Sequence, residues 1–347
     1  MLRRTLKRKE RTEKMSAIIE IKNVTKEFRV LNRREGLKGS IQDLFSRNYR
    51  TVRAVDNISM TVQQGEIVGY LGPNGAGKST TIKMMTGVLE PTSGEILING
   101  TIPYANRSRN AQGIGVVFGQ RSQLWWALPL VESFKILKDI YQISDEKYNG
   151  MIELYKSLVD IEPLLHKPVR QMSLGQRTLS DILAAFLHDP KIVFLDEPTI
   201  GLDVSMKSKI RTLIHALNKE KNTTVILTTH DMGDVDALCR RIVIIDKGKM
   251  LYDNDIEHLK GFFGSYRTLK IRTDGELKAQ AESVKKELPD FSVTADDEWI
   301  SVLVDEEKSK VIDVLGQLQK AHKIKDMQLE EISTEEVIKK IYEEGVA

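Results

Sequence analysis

Apolar residues in this chain come in short unbroken runs rather than in alternation. Ile67-Val68-Gly69-Tyr70-Leu71, Ile192-Val193-Phe194-Leu195 and Val225-Ile226-Leu227 are each too short for a buried helix and rich in β-branched residues, which predicts strands covered on both faces. Stretches of helical period separate them, so residues 17–260 read as one α/β domain built on a largely parallel sheet. The pattern changes after Tyr266. A strand at Thr268 to Ile271, a helix over about 276–288, strands near Phe291 to Val293 and Trp299 to Val304, a helix over about 307–320 and a strand near Met327 to Leu329 follow one another, and a last helix starts at Thr334. This βαββαβ order with a tail predicts a small α+β domain of the ferredoxin-like kind over 266–347. It contains no chemical motif, which favours a structural or regulatory appendage.

One interruption stands out in the first domain. Residues of about 30–53 separate two early strands that a short turn would otherwise join, and a long insertion is usually functional or disordered. Leu37, Ile41, Leu44 and Phe45 recur there at helical spacing among Arg33, Arg34, Lys38, Arg47, Arg50 and Arg53. The segment reads as a short basic amphipathic helix, either packing on its own domain or meeting a membrane protein or anionic headgroups. A second all-helical stretch is expected over about 120–185.

Composition narrows the class of protein. With 52 Lys and Arg against 49 Asp and Glu, the net charge of +3 is too small an asymmetry to argue for nucleic acid as the main partner. The single cysteine, Cys239, excludes an internal disulfide and a cysteine zinc site and fits a reducing compartment. No apolar run approaches the roughly 20 residues that span a bilayer. The opening residues 1–16 form a basic tail without apolar periodicity, and Met15 is a candidate translation start. Work at a membrane would therefore need another chain to cross it.

Chemistry is concentrated in a few motifs. Gly72-Pro73-Asn74-Gly75-Ala76-Gly77-Lys78-Ser79 has the spacing of a phosphate-binding loop and lies between an apolar strand and a helix over Thr80 to Val88. Glycines let the backbone wrap so that successive N–H groups face phosphate oxygens. Lys78 adds a point charge and Ser79 a magnesium ligand, while Thr80 opens the helix. Asp196 and Glu197 end the strand Ile192 to Leu195; Asp196 is placed to hold magnesium and Glu197 to polarise a water as general base. An acidic pair at a strand end is as often only a helix-start signal.

At Met172-Ser173-Leu174-Gly175-Gln176-Arg177 the sequence resembles the signature of ABC ATPases, usually LSGGQ, some twenty residues before the acidic pair as in that family. It departs from the pattern at Met172 and Leu174 and keeps Ser173, Gly175 and Gln176. The resemblance covers roughly residues 17–255 and implies a phosphate-loop NTPase of the ABC type, with a mixed sheet core and a helical signature subdomain. It further implies ATP and Mg2+ as cofactors, with Ser173, Gly175 and Gln176 offered to the γ-phosphate held by a second copy in a head-to-tail dimer. Gly201-Leu202-Asp203 is similar to the D-loop that crosses this interface, His230 to the switch histidine that senses the γ-phosphate, and Gln120 to the Q-loop glutamine, which touches both metal and γ-phosphate. The adenine ring needs an aromatic to stack on, and Phe28 and Tyr49 both qualify. Trp125 and Trp126 fall where family members dock a permease. The run Gly119 to Trp126, with the early insertion, is similar to ATPases of bacterial drug and polysaccharide exporters, which work with separate multi-span permeases.

The function implied is therefore that of a peripheral ATPase at the cytoplasmic face of the membrane. It would power a permease as a homodimer, with no nucleic acid expected. Two other readings compete. One is a soluble ABC ATPase acting on ribosomes or DNA, although the chain has one phosphate loop and no long heptad run. The other is a regulatory module that holds ATP without turning it over, against which Glu197 and His230 speak.

Overall fold

The computed structural model describes residues 17–31, 49–119, 122–262, 264–296 and 298–344. The basic tail 1–16, the centre of the insertion at 32–48 and Gln120 lie outside them. By compactness the chain divides into two units, 1–253 and 254–347.

In the first unit, β1 (Ala17–Leu31) and β2 (Tyr49–Gln63) pair antiparallel along their whole length, from Ala17 opposite Gln63 to Leu31 opposite Tyr49. The strands thus run into both ends of the segment that the sequence assigns to the insertion. β3 (Ile67–Leu71) leads to α1 (Lys78–Met85), and β4 (Ser93–Ile98) joins the far side of β1. After α2 (Arg107–Gly113), β5 (Ile114–Phe118) precedes the helical region: α3 (Leu130–Ile140), α4 (Asp145–Leu158), α5 (Glu162–Leu165) and α6 (Leu174–Phe186). β6 (Ile192–Asp196), α7 (Val204–Lys221), β7 (Thr224–Thr228), α8 (Met232–Leu238), β8 (Arg241–Asp246) and β9 (Lys249–Asp255) follow.

The larger sheet runs β5-β6-β7-β3-β8-β9, and its first five strands are parallel to their neighbours. Their continuous apolar sequences are explained by burial. Every residue of β3 and β7 is buried, and β6 is buried up to its last residue. One core joins Ile19, Ile58 and Val62 of the antiparallel sheet to Tyr70, Phe194 and Ile226 of the parallel one through Ile82 and Met85 of α1. That packing fixes α1, and with it the loop that precedes it.

In the second unit, α9 (Ile256–Phe262) is followed by β10 (Tyr266–Thr273), α10 (Leu277–Glu287), β11 (Ser292–Ala295), β12 (Ile300–Asp305), α11 (Val311–Ala321), β13 (Ile324–Glu331) and α12 (Thr334–Glu344). The order β11-β12-β10-β13, antiparallel throughout, is the ferredoxin-like arrangement. Its core lies between the sheet and two helices, with Ile271, Val302 and Val304 packed on Val284 and Leu318.

Candidate functional site

β3 and α1 hold the two ends of the glycine-rich loop. Gly75 and Gly77 have φ of 83° and 109°, conformations a side chain strongly disfavours. A Cβ on Gly77 would also lie 2.5 Å from the carbonyl oxygen of Ala54. The loop closes on itself where Ala76 N donates to Pro73 O at 3.1 Å, and it is tied to the sheet edge where Gly248 N donates to Ala76 O at 2.9 Å. Lys78 is buried, and its ammonium donates to the carbonyls of Gly72 and Pro73. Burial pushes its pKa down, opposed by the carboxylates of Glu197 and Asp196 nearby.

Facing this loop are the tips of β6 and β7. Asp196 accepts a hydrogen bond from Thr228 Oγ1 at 2.5 Å. Glu197 follows with φ 54°, an uncommon state for a non-glycine residue that costs about 1–3 kcal/mol and clusters at functional sites. Its N–H donates to Thr228 O at 2.9 Å, and its Oε1 lies 3.0 Å from Nε2 of His230. Burial raises the Glu197 carboxyl above its usual range, against the pull of His230 and Lys78. A base lifted toward neutrality by desolvation, with an imidazole in contact, is suited to taking a proton from water.

The result is an open polar cavity of about 310 Å³ that brings Pro73, Asn74, Gly75, Gly77, Lys78, Ser79 and Thr80 together with Asp196, Glu197 and His230. Among the described residues no three His, Cys, Asp or Glu side chains cluster to hold a metal. A divalent ion here would rely on Ser79, Asp196 and phosphate oxygens, the donor set Mg2+ prefers.

The signature residues are not part of this cavity. Ser173 caps α6: its Oγ accepts from Gln176 N at 3.2 Å while Gln176 Oε1 accepts from Ser173 N at 3.2 Å. Gln176 Oε1 also accepts from Lys167 Nζ at 3.0 Å. Ser173 and Leu174 are exposed, and Gly175 is buried against Met206. The helix is therefore exposed at its capping end, Ser173 and Leu174, and not through its whole first turn. Of the two aromatics, Phe28 lies opposite Val52 and carries the Lys26 ammonium 5.3 Å from its ring centre. Tyr49 lies three rungs further from the cavity-lining Ala54, about 10 Å at 3.3 Å per residue. Trp125 and Trp126 are 37% and 56% exposed, and the Arg177 guanidinium sits 5.2 Å from the Trp126 ring centre.

Sequence reasoning missed two buried acids. Asp181, inside α6, accepts from Ser122 Oγ and Gln123 N. Asp234, on α8, collects three donors. Asp181 is a charge followed by the apolar helical run Ile182 to Phe186, a signal that marks it, while Asp234 shares its short helix with Asp236 and carries no such signal.

A glycine loop at a parallel strand tip, faced by an acid pair and a histidine, defines a nucleoside-triphosphate-binding α/β domain. The model of the ABC transporter family matches residues 55–200. Over 215 residues the chain is 32% identical to the ABC transporter ATP-binding protein NatA of Bacillus subtilis, an alignment covering 62% of this chain and 87% of the relative. It is 36% identical over 212 residues to the bacitracin transport ATP-binding protein BcrA of Bacillus licheniformis, covering 61% and 68%. A dimeric ATP-binding cassette solved after hydrolysis with ADP and Pi matches with a TM-score of 0.55 at 26% identity, over 68% of this chain and 98% of that one. The chain spans only 29% of the length of another relative, ABC transporter A family member 1 of Dictyostelium discoideum. The chain belongs to the ABC transporter family, as an ATP-binding subunit. Among the described residues no helix is long and apolar enough to cross a membrane.

Proposed function

We propose that two copies of this chain bind MgATP between them, hydrolyse it, and so drive a separate multi-span permease, as an exporter ATPase docked at the cytoplasmic face of the membrane. The convergence of the phosphate loop with Glu197 and His230 on one cavity carries the reading. In it, the loop N–H groups and Lys78 hold phosphate charge, Glu197 takes the proton of the attacking water, and His230, with Gln120, reports the γ-phosphate. Ser79 and Asp196 would hold Mg2+, which would supply positive charge against the phosphates.

Three features support the dimer and the docking. The first turn of α6 is exposed at Ser173 and Leu174. Ile200 and Val204, which flank Gly201-Leu202-Asp203, are 52% and 84% exposed. Trp125 and Trp126 supply an aromatic surface of the kind enriched at interfaces, and BcrA, named for bacitracin transport, supports export. Against the two aromatics, Phe28 is the adenine platform, being nearer the cavity.

Glu197→Gln tests the proposal. It should bind ATP, form a stable dimer by light scattering and lose about 10²- to 10⁴-fold in turnover. Near wild-type turnover, or a monomer in saturating MgATP, would reject it. Recovery of the chain with membranes only when a permease is co-expressed supports the transport role; sedimentation with ribosomes or DNA instead would favour the soluble alternative.

A further inference from the structure

On either side of the Glu197–His230 contact stands a threonine whose hydroxyl is buried. Thr199, two residues after Glu197, and Thr229, one before His230, are each 2% exposed. Both donate to the same carboxylate oxygen: Thr199 Oγ1 reaches Asp234 Oδ2 at 2.5 Å, and Thr229 Oγ1 reaches it at 3.0 Å. Asp234 has no exposed surface, and its other oxygen accepts from Arg211 Nε at 2.6 Å. Next to it, Asp231 accepts from Lys207 Nζ at 2.5 Å, Arg211 Nη2 at 3.2 Å and Gly233 N at 2.9 Å. Thr229 Oγ1 also accepts from Asp231 N at 3.0 Å.

A fully buried carboxylate is costly unless charge and hydrogen bonds both compensate it. If the only task were to pin α8 to α7, the Arg211 pair would suffice. Two hydroxyls from two different loops, shared on one oxygen, do something else: they fix the distance between the loops. Thr199 lies two residues before Gly201 of the D-loop, and Thr229 follows the last residue of β7 and precedes His230. Glu197, two residues before Thr199, has a left-handed conformation; its N–H donates to Thr228 O, and its carbonyl accepts from Ile200 N at 3.3 Å.

We infer that Asp234 is a positioning residue that locks the D-loop to the turn carrying His230, so that Glu197 and His230 meet only while both threonines are held on it. The inference rests on the hydrolytic function proposed above and deepens it. Both hydroxyls end on one oxygen of a carboxylate also paired with Arg211, and this shared acceptor ties the two loops to one point. The exposed Ile200 and Val204, which flank the D-loop, are the surface a second copy would press on. A shift there is passed through Thr199 and Asp234 to the histidine, making assembly of the acid–imidazole pair conditional on the partner.

Thr199→Val and Thr229→Val remove each hydroxyl at almost constant shape, and Thr199→Ser and Thr229→Ser return it. The first readout needs no turnover: the ring ¹⁵N signals of His230, assigned by their loss in His230→Ala. They should shift in both valine variants and return in the serine variants. The second is steady-state ATPase. Each valine variant should lose about tenfold or more in kcat with KM for ATP within twofold, the double valine variant should be no worse than either single, and serine should restore the rate. Unshifted His230 signals, kcat within twofold of wild type, or losses that multiply in the double variant would overturn the lock. If wild type itself shows no turnover that Glu197→Gln removes, the hydrolytic reading fails, and the ring signals decide the lock alone.

Discussion

Asp181 is a buried acid whose cost can be read as a function of pH. It is 7% exposed in α6, and a single oxygen, Oδ1, accepts from Ser122 Oγ at 2.9 Å and from Gln123 N at 3.0 Å. Burial pushes its pKa up from 3.8 to about 6, outweighing the two hydrogen bonds and the Arg177 charge, which pull it down. Because the folded value lies above the unfolded one, the folded chain takes up the proton first. Below pH 4 both states are protonated and there is no penalty; the penalty grows as pH rises from 4 to 6 and is constant above. Roughly two pH units at 1.4 kcal/mol each make it about 3 kcal/mol at pH 7.5. Asp181→Asn keeps an oxygen acceptor for both donors and cannot ionise. It should therefore be more stable than the parent by about 2–3 kcal/mol at pH 7.5, the gap closing toward zero near pH 4. Urea unfolding at several pH values measures this in a Trp299→Phe background, where Trp125 and Trp126 report on the first unit alone. Taking the difference between the two proteins removes the titration of every other carboxylate. An asparagine variant less stable than its parent at pH 7.5, or a gap independent of pH, would refute the reasoning.

Two further outcomes follow from close contacts and from strand register. A Cβ at Gly175 would lie 2.6 Å from Met206 Cγ, so Gly175→Ala should lose about 1–3 kcal/mol by overpacking and weaken the ATP-driven dimer. Met206→Ala in the same chain should restore both, and failure to do so in urea unfolding and light scattering would remove Met206 as the cause. Phe28→Ala should weaken binding of an ATP analogue by about 1–3 kcal/mol, as loss of one stacked base does, while Tyr49→Ala should leave it unchanged in calorimetry. The reverse result would transfer the adenine to Tyr49.

The central sheet was legible because burial on both faces leaves unbroken apolar runs, and the phosphate loop because its glycines are demanded locally. What escaped depends on pairing at a distance. Arg29, Val30 and Tyr49 to Arg53 are exposed, so the outer end of the β1–β2 hairpin carries no apolar alternation and reads as insertion. β13 is exposed at seven of its eight residues, which is why only Met327 to Leu329 signalled a strand. Asp181 finds its partners 59 and 58 residues away, and Asp234 finds Thr199 35 residues away. A helical position shows that a charge is buried but not what neutralises it. Proposing Phe28 over Tyr49 likewise needed the register, since the insertion hides which rung each occupies.

Leu174, where the family pattern has glycine, shows how the site accommodates a departure. The leucine is the first residue of α6 and 48% exposed, and its Cδ2 lies 3.3 Å from where a Cβ on Gly201 would be. Gly201 has φ 73°, a conformation glycine adopts without strain, and its bare Cα is what leaves room for the leucine. The end of the side chain thus lies close to Gly201 of the D-loop, and Ser173 remains exposed beside it. With Ile200 and Val204 it adds exposed apolar surface to the face that would meet a second copy in the proposed dimer. Burying side chains of this size is worth about 1.5–3 kcal/mol each when complete. Closure of the proposed dimer therefore draws on hydrophobic contact as well as on nucleotide, and because a Cβ on Gly201 would meet Leu174, the signature and the D-loop lie side by side on the surface that would close.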